Sequence, residues 1–199
     1  MCGIVGYIGQ RDCTDVLMQG LEKLEYRGYD SAGIAVFEKT GIKTVKTKGK
    51  LADMRHKLDI EGSPVGHCGI GHTRWATHGE PSDINSHPHT NGRVTIVHNG
   101  IIENYIELKE FLTEKGYTFT SQTDTEVVAC LLDYYYSERN PLRAITETLK
   151  ELKGSYALGI IFRDFPDRVY ATRKESPLIV GIGENEYFIG SDIPAFLKY

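Results

Sequence analysis

The chain begins with the run M-C-G-I-V-G-Y-I over residues 1–8, which is apolar and partly β-branched. Such a run predicts a buried β-strand immediately behind the initiating methionine. If Met1 is removed, Cys2 becomes the N-terminal residue and carries both a thiol and a free α-amine. The reference pKa is ~7.7–8.0 for that amine and ~8.5 for a free thiol. Although a cysteine at position 2 is more often incidental, Cys2 is therefore a candidate nucleophile with its own base.

The apolar periodicity of the remaining sequence predicts strands in adjacent pairs and helices in runs. Residues 32–37 and 42–48 predict a hairpin around Thr40-Gly41. Further strands are predicted over residues 68–75, 93–98, 156–162, 168–172, 178–181 and 187–189. Helices are predicted over residues 12–24, 51–58, 104–115, 123–136 and 141–152. This grouping predicts an α+β fold with antiparallel sheets and helices on their outer faces, rather than a parallel sheet.

Short signals indicate where some of these elements begin and end. Asn104 is expected to cap the helix that follows it, and Thr123 with Glu126 forms a capping-box pattern. The dipeptide Asn99-Gly100 is expected to stop the strand before it. Residues 75–92 show no steady period and contain two glycines and two prolines, so they are predicted to form a long loop. Loops of that length inside a compact domain are often functional lids.

The composition excludes several classes of protein. The chain has 199 residues, a net charge of −4 and 40% hydrophobic residues. These values indicate one ordered domain and argue against a strongly basic nucleic-acid binder. No apolar run approaches the ~18 residues of a membrane span, and no signal peptide is predicted. The four cysteines are scattered without a C-x-x-C pair, so we expect free thiols and a cytoplasmic protein.

Polar residues elsewhere in the chain fit the needs of a nucleophile that attacks a carbonyl group. Asn99 and Gly100 offer a side-chain amide and a backbone N–H to a developing oxyanion, although the pair is also a common turn. Arg74 can bind a carboxylate through two parallel hydrogen bonds. Asp124 can bind an ammonium group, although an acid in the first turn of a helix is also favoured by the helix dipole.

Five histidines lie close together in the sequence, at His72, His78, His87, His89 and His98. A metal site is conceivable because His87 and His89 are separated by a single residue. No cysteine pair and no H-E-x-x-H spacing supports such a site. We therefore expect no metal and no other cofactor.

Five stretches in order resemble the N-terminal-nucleophile glutamine amidotransferases. Within that family they are most similar to the glutaminase domain of the glucosamine-6-phosphate synthases, also called glutamine–fructose-6-phosphate aminotransferases (isomerizing). The stretches are M-C-G-I-V-G (1–6), Y-R-G-Y-D-S-A-G (26–33), T-R-W-A-T-H-G-E-P-S (73–82), H-N-G-I-I-E-N (98–104) and T-D-T-E (123–126). Each is moderately specific alone, and the resemblance covers nearly the whole chain.

The resemblance implies a four-layer αββα sandwich with two antiparallel sheets, as in the N-terminal-nucleophile hydrolases. It implies that Cys2 is the nucleophile with its own α-amine as base, and that Asn99 and Gly100 form the oxyanion hole. It implies further that Arg74 binds the α-carboxylate of glutamine and Asp124 its α-amino group. The remaining implied site residues are Thr77 and His78 in a closing loop, Trp75 as a residue that responds to ammonia transfer, and Arg27 as support for the nucleophile.

The activity implied by the resemblance is hydrolysis of L-glutamine to glutamate and ammonia. In the full-length enzyme the ammonia converts fructose 6-phosphate to glucosamine 6-phosphate. We expect residues 1–199 to be one glutaminase domain, truncated at its C-terminal end and lacking the sugar-phosphate isomerase domain. The expected partners are L-glutamine and that isomerase domain, with no nucleic acid and no membrane, and the full-length enzyme is expected to be a homo-oligomer.

Three other readings of the sequence remain open. The first is the glutaminase domain of another amidotransferase, such as amidophosphoribosyltransferase. The second is a metal-binding module built on the histidines, and the third is a regulatory domain that binds an amino acid without turnover. Retention of Met1 would also matter, because the α-amine of Cys2 would then be tied up in a peptide bond and the base would be missing.

Overall fold

The computed structural model describes residues 2–76 and 79–199. Within those residues ten strands form two sheets, and the strands carry most of the apolar runs predicted above. They are β1 (Gly3–Ile8), β2 (Ser31–Glu38), β3 (Gly41–Lys48), β4 (Cys68–Arg74), β5 (His89–Asn91), β6 (Val94–Ile102), β7 (Gly154–Phe162), β8 (Tyr170–Lys174), β9 (Ile179–Gly183) and β10 (Glu186–Gly190).

The larger sheet has the strand order β3-β2-β4-β1-β10-β9 and the smaller sheet the order β5-β6-β7-β8. All neighbouring strands of the two sheets pair in antiparallel fashion. Strand β1 lies inside the larger sheet, between β4 and β10, and Gly3 pairs with Thr73. Cys2 therefore stands at the head of an interior strand, directly beside the end of β4.

Five helices within the described residues cover the outer faces of the sheets. They are α1 (Cys13–Lys23), α2 (Leu51–Glu61), α3 (Tyr105–Glu114), α4 (Asp124–Tyr135) and α5 (Pro141–Glu151). Helices α1 and α2 share one buried apolar cluster with the larger sheet, whereas α3, α4 and α5 share another with the smaller sheet. A third cluster, which includes Ile4, Ile70 and Val97, lies between the two sheets. The predicted α+β fold and its four αββα layers are confirmed.

Two predicted boundaries are wrong. Strand β6 does not stop at Asn99-Gly100 but continues to Ile102, because its pairing with β7 continues through Gly100 and Tyr156. Gly100 has φ +123°, and a Cβ there would lie 2.0 Å from the Ser155 carbonyl oxygen, so the position requires glycine. The predicted loop over residues 75–92 contains the short strand β5, which pairs with β6.

The side chains of the two predicted helix caps make hydrogen bonds that differ from the prediction. Asn104 precedes α3 but does not cap it, because its side chain bonds to Glu151 O and Lys153 N, both at 2.9 Å. Thr123 does cap α4 by accepting from Glu126 N at 3.2 Å. The second bond of a capping box, from Thr123 N to the Glu126 side chain, is not formed, because Thr123 N donates to the Ser121 hydroxyl at 3.2 Å.

None of the helices in residues 2–76 and 79–199 combines the length and the apolar character that crossing a lipid bilayer would require.

Candidate active site

The Cys2 thiol lies half-buried against the backbone of Trp75. Its Sγ accepts a hydrogen bond from Trp75 N at 3.1 Å and lies 3.5 Å from Trp75 O. Burial raises the pKa of the Cys2 thiol above its usual value, and the Trp75 N–H bond opposes that rise. The thiol form is thus favoured, so Cys2 needs a base before it can act as a nucleophile.

The carbonyl group of Cys2 is held by two side chains from different parts of the chain. Asn99 Nδ2 donates to Cys2 O at 2.9 Å, and Arg27 Nε donates to it at 3.1 Å. Arg27 in turn pairs with Asp192, whose Oδ2 lies 3.3 Å from Arg27 Nη1 and accepts from Tyr26 at 2.6 Å. These contacts place Arg27 against the backbone of the candidate nucleophile.

The Asn99 side chain uses all of its polar atoms within the fold. Its Nδ2 donates to Ser191 Oγ at 2.9 Å as well as to Cys2 O, and its Oδ1 lies 2.9 Å from His72 Nε2. Gly100 follows it on β6 and is exposed, so its backbone stands at the surface next to the held amide. The two predicted oxyanion donors are therefore neighbours on β6, and the Asn99 amide is part of a buried hydrogen-bond network.

Arg74 and Asp124 line the same cavity as the thiol and are both almost fully buried. Arg74 is the last residue of β4, and its Nη2 donates to Gly79 O at 3.0 Å. Asp124 is the first residue of α4, and its Oδ2 accepts from Ile102 N at 2.9 Å. His98 Nδ1 lies 3.9 Å from the same Asp124 oxygen. The Arg74 guanidinium group and the Asp124 carboxylate thus line the same cavity.

The segment that follows Arg74 is tied back to the strand region by Asp30. The Asp30 carboxylate accepts a very short hydrogen bond from Ala76 N, and Asp30 N donates to Arg74 O at 3.1 Å. The half-exposed Trp75 ring packs edge-on against Tyr29 with their centroids 5.4 Å apart. The predicted loop residues Thr77 and His78 lie outside the described residues.

The cavity at this site has a volume of about 340 Å³. That volume is at the lower end of the range for small-molecule sites and suits a ligand the size of an amino acid. Seven of the nine predicted site residues line it, and these are all of the predicted residues that the structure describes. They are Cys2, Arg27, Arg74, Trp75, Asn99, Gly100 and Asp124.

Three residues that contribute to the site were not predicted as site residues. Asp30 holds the segment after Arg74, Ser191 accepts from Asn99, and His72 contacts the other end of the Asn99 amide. Asp30 falls inside one of the quoted stretches, which is the only signal that could have identified it. Nothing in the local sequence marks Ser191, and the sequence singled out His72 only as one of five histidines considered as metal ligands. Both residues act on Asn99 across a distance set by the sheets.

Three of the histidines, His72, His87 and His89, form a buried aromatic cluster. The rings of His72 and His87 stack at 4.1 Å, and those of His87 and His89 meet at 5.0 Å. Burial lowers the pKa of His72 to about 3 and lowers the pKa values of His87 and His89 well below the usual range. In the described part of the chain, no group of three or more histidine, cysteine, aspartate or glutamate side chains is arranged to hold a metal ion.

The fold and site together define a class: two antiparallel sheets between helical layers, with a cysteine at the head of an interior strand, as in N-terminal-nucleophile hydrolases. A family model described as "Glutamine amidotransferase domain" matches residues 72–198. The chain belongs to this family. Cys2 lies outside the stretch that the model matches, but the whole chain aligns with the curated relatives described next.

Those relatives carry the name glutamine–fructose-6-phosphate aminotransferase (isomerizing). The chain is 60% identical to the protein of Clostridium perfringens and 59% identical to that of Clostridium tetani, in each case over its full length. The alignment covers 33% of each relative, so the chain spans about a third of the length of the curated proteins it matches.

Solved structures of a related enzyme have the same fold. Glutamine phosphoribosylpyrophosphate amidotransferase from B. subtilis superposes with a TM-score of 0.85 at 27% identity, covering 98% of this chain and 43% of that one. A structure described as the allosteric regulatory enzyme of purine biosynthesis gives a TM-score of 0.86 at 28% identity, with the same coverage. These identities are less than half of those to the fructose-6-phosphate enzymes.

Proposed function

We propose that residues 1–199 form a glutaminase domain that hydrolyses L-glutamine to glutamate and ammonia, with Cys2 as nucleophile once Met1 is removed. The observation that carries this proposal is the convergence of seven predicted residues on one cavity the size of an amino acid. Membership of the glutamine amidotransferase domain family supports glutamine as the substrate.

Recognition of glutamine is divided between Arg74 and Asp124. The guanidinium group of Arg74 binds the α-carboxylate, and the carboxylate of Asp124 binds the α-ammonium group. Both side chains are buried, so these charge-assisted hydrogen bonds form away from bulk water and are correspondingly strong. The resemblance assigns Thr77 and His78 to a loop that closes over the bound amino acid, and Trp75 to the response to ammonia transfer.

In the first half of the reaction the free α-amine of Cys2 takes the thiol proton, and Sγ attacks the side-chain amide carbon of glutamine. The negative charge moves to the former carbonyl oxygen, which accepts hydrogen bonds from Asn99 Nδ2 and Gly100 N. When this intermediate collapses, the carbon–nitrogen bond breaks. The α-ammonium group protonates the departing nitrogen, so ammonia leaves and a γ-glutamyl thioester remains.

In the second half of the reaction the α-amine removes a proton from water, and the water oxygen attacks the thioester carbon. The carbon–sulfur bond then breaks, glutamate is released, and the α-ammonium group returns the proton to Sγ of Cys2. Asn99 can share one N–H with the oxyanion without leaving the Cys2 carbonyl exposed, because Arg27 Nε also donates to that carbonyl at 3.1 Å. Arg27 therefore keeps the nucleophile in position while Asn99 stabilises the transition state.

For the longer protein we propose that the ammonia converts fructose 6-phosphate to glucosamine 6-phosphate on a C-terminal sugar-phosphate isomerase domain. The names of the relatives at 59% and 60% identity support this assignment over amidophosphoribosyltransferase, whose structures reach 27% and 28%. We also propose a cytoplasmic homo-oligomer; its location is supported by the four unpaired thiols of the described chain, and its assembly rests on the resemblance alone.

The test is intact mass spectrometry before and after incubation with 6-diazo-5-oxo-norleucine, an electrophile that resembles glutamine, together with an assay of ammonia release. We expect a mass that lacks Met1, a single adduct that maps to Cys2, and loss of ammonia release in step with labelling. Cys13→Ala is the matched control, because Cys13 is buried in α1 and should leave both the labelling and the turnover unchanged.

Other outcomes separate the alternatives. A mature chain whose label lies on Cys13, Cys68 or Cys130 contradicts the proposed nucleophile. A mature chain that binds glutamine but neither reacts nor releases ammonia favours the regulatory, amino-acid-binding reading. If Met1 is still present, the same experiment is repeated after its removal with an aminopeptidase.

A further inference from the structure

His72 lies on β4 with its side chain in the space between the sheets and no exposed surface. Its Nε2 is 2.9 Å from Asn99 Oδ1 and 3.0 Å from His98 O. It does not line the cavity, so it does not face the substrate. Its hydrogen bond to Asn99 connects it to a residue that does line the cavity.

The backbone determines which nitrogen of the His72 ring carries the proton. A carbonyl oxygen such as His98 O can only accept, so Nε2 at 3.0 Å from it must be a donor. Burial lowers the pKa of His72 to about 3, which leaves the ring neutral with a single N–H at neutral pH. The hydrogen therefore sits on Nε2, and Nδ1 is the bare nitrogen.

The proton on Nε2 in turn determines which end of the Asn99 amide, oxygen or nitrogen, faces His72. The Asn99 atom at 2.9 Å from an N–H donor must be the oxygen, so Nδ2 is left to face Cys2 O and Ser191 Oγ. A rotation of the amide by half a turn would place its NH₂ group against the His72 N–H and its oxygen against the Cys2 carbonyl. Both contacts would be repulsive, so His72 keeps the donor end of Asn99 towards the nucleophile.

The other ring nitrogen of His72, Nδ1, indicates that a histidine at this position does more than fill space. Among the described residues, Nδ1 is buried without a hydrogen-bond partner, and the ring stacks on His87 at 4.1 Å. A buried acceptor without a partner lowers stability, and such groups in folded proteins call for an explanation. An apolar residue at position 72 would avoid that penalty but would leave Asn99 Oδ1 and His98 O without the N–H of the ring.

We infer that His72 is a positioning residue for glutamine hydrolysis: it holds the oxyanion donor of Asn99 in the orientation that presents N–H groups, and not oxygen, to the reacting centre. The inference rests on the proposed function, because it assigns a role within the same site. Only Nε2 of the ring is required, so a side chain that offers an N–H at the same place should substitute in part.

The first test compares His72→Leu with His72→Gln in the mature full chain. His72→Leu removes the N–H, and we expect kcat for glutamine hydrolysis to fall by about 10- to 100-fold, less than the about 100- to 1,000-fold expected for loss of an oxyanion donor itself. KM should change less than about twofold, because the groups that bind glutamine are untouched. His72→Gln restores an amide N–H and should recover much of the lost kcat.

The second test distinguishes positioning from a general loss of packing. In an Asn99→Ala background, His72→Leu should lower kcat by less than about twofold, because the group that it orients is gone. Ile70→Val is the matched control: Ile70 precedes His72 by two residues on the same face of β4 and is also fully buried. It should reduce thermal stability and leave kcat unchanged.

Three kinetic results would each overturn the inference. One is a His72→Gln enzyme no better than His72→Leu, and another is a His72→Leu effect that stays at full size in the Asn99→Ala background. The third is a loss of kcat in Ile70→Val that equals the loss in His72→Leu.

A spectroscopic measurement separates failure of this inference from failure of the proposed function. With ¹⁵N-labelled histidine, long-range proton–nitrogen correlation should show that His72 carries its proton on Nε2. A proton on Nδ1 contradicts the inference whatever the activity. If the mature enzyme does not hydrolyse glutamine but the Nε2–H form is observed, the proposed function fails and the hydrogen bond to Asn99 stands.

Discussion

The cavity has two walls that are built differently. The strand wall, made by Cys2, Asn99 and Gly100, stands on β1 and β6 and is held by buried hydrogen bonds to His72 and Ser191. The loop wall is made by Arg74, the last residue of β4, and by Trp75, which follows it outside the strand. Asp30 is its main anchor, and Trp75 on it is about half exposed.

This difference separates the two tasks of the site. Stabilisation of a transition state needs donors that are already in place, because moving them during the reaction costs free energy. Binding and release of an amino acid need a wall that can open. We therefore expect changes in the strand wall to affect kcat and stability, and changes in the loop wall to affect KM.

Lowering the pH should have the largest effect, which is a loss of folding stability. It acts through buried histidines, one of which, His72, supports the strand wall. The pKa values of His72, His87 and His89 lie below the ~6.5 of an unfolded chain, so the unfolded state binds more protons as the pH falls. Stability is therefore fully present above that value and is lost below it. From about pH 7.5 to about pH 5.5 we expect the free energy of unfolding to fall by about 4 kcal/mol, or about 1.4 kcal/mol per ring.

Urea unfolding at the two pH values measures this loss. His87→Leu should remove about a third of the pH dependence, since one of the three rings no longer titrates. Ile60→Leu, at an exposed position on α2 that does not titrate, is the control and should leave the pH dependence as it is. An equal free energy of unfolding at both pH values would show that the buried histidines do not limit stability in acid.

Asn99→Ala should have the next largest effect. Loss of this donor should cost ~2.7–4 kcal/mol of transition-state stabilisation, which is about a 100- to 1,000-fold fall in kcat. Glutamine binding should persist, because Arg74 and Asp124 are unchanged. Steady-state ammonia release gives kcat and KM, and Ser191→Ala, which removes one acceptor of the Asn99 amide, should show a much smaller loss. Near-normal turnover by Asn99→Ala would remove Asn99 from the oxyanion hole.

Arg74→Lys should affect the loop wall and raise KM. Lysine keeps the positive charge but loses the planar fork that binds a carboxylate through two bonds. A hydrogen bond to a charged group contributes ~1.5–3 kcal/mol, so we expect KM to rise by about 10- to 100-fold while kcat changes less. Arg93→Lys is the control, since Arg93 packs over the Tyr136 ring in a different part of the molecule. A fall in kcat with KM unchanged would place Arg74 in the chemical step instead.

Asp30→Ala should give the smallest of these effects. It removes the acceptor for Ala76 N, which positions the loop segment but does not bind the substrate, so KM should rise by about 5- to 10-fold. Asp53→Ala on α2 is the control, since Asp53 accepts from Lys50 N and lies away from the cavity. If Asp30→Ala lowered kcat and left KM alone, the division of tasks between the two walls would be contradicted.

Local periodicity predicted the elements well because helix and strand periods depend on neighbouring residues. The five predicted helices and the paired strands are all present. Their grouping predicted antiparallel sheets with helices on the outer faces, and the resemblance implied the four-layer order. The continuation of β6 through Asn99-Gly100 was missed, since that pair favours a turn when it is read alone. Pairing with Tyr156 on β7 overrides that local preference.

The sequence by itself predicted the candidate nucleophile, the helices and strands, and the candidate substrate-binding residues. The position of Cys2 predicts that its own α-amine can serve as base, and five short stretches in order predict the other site residues. The tertiary structure decided which polar atoms meet. Cys2 O and Asn99 Nδ2 are 97 positions apart in the chain, and His72 and Asn99 are 27 apart and on different sheets. Such contacts depend on sheet register and on the packing of one sheet against the other, and no local pattern encodes either.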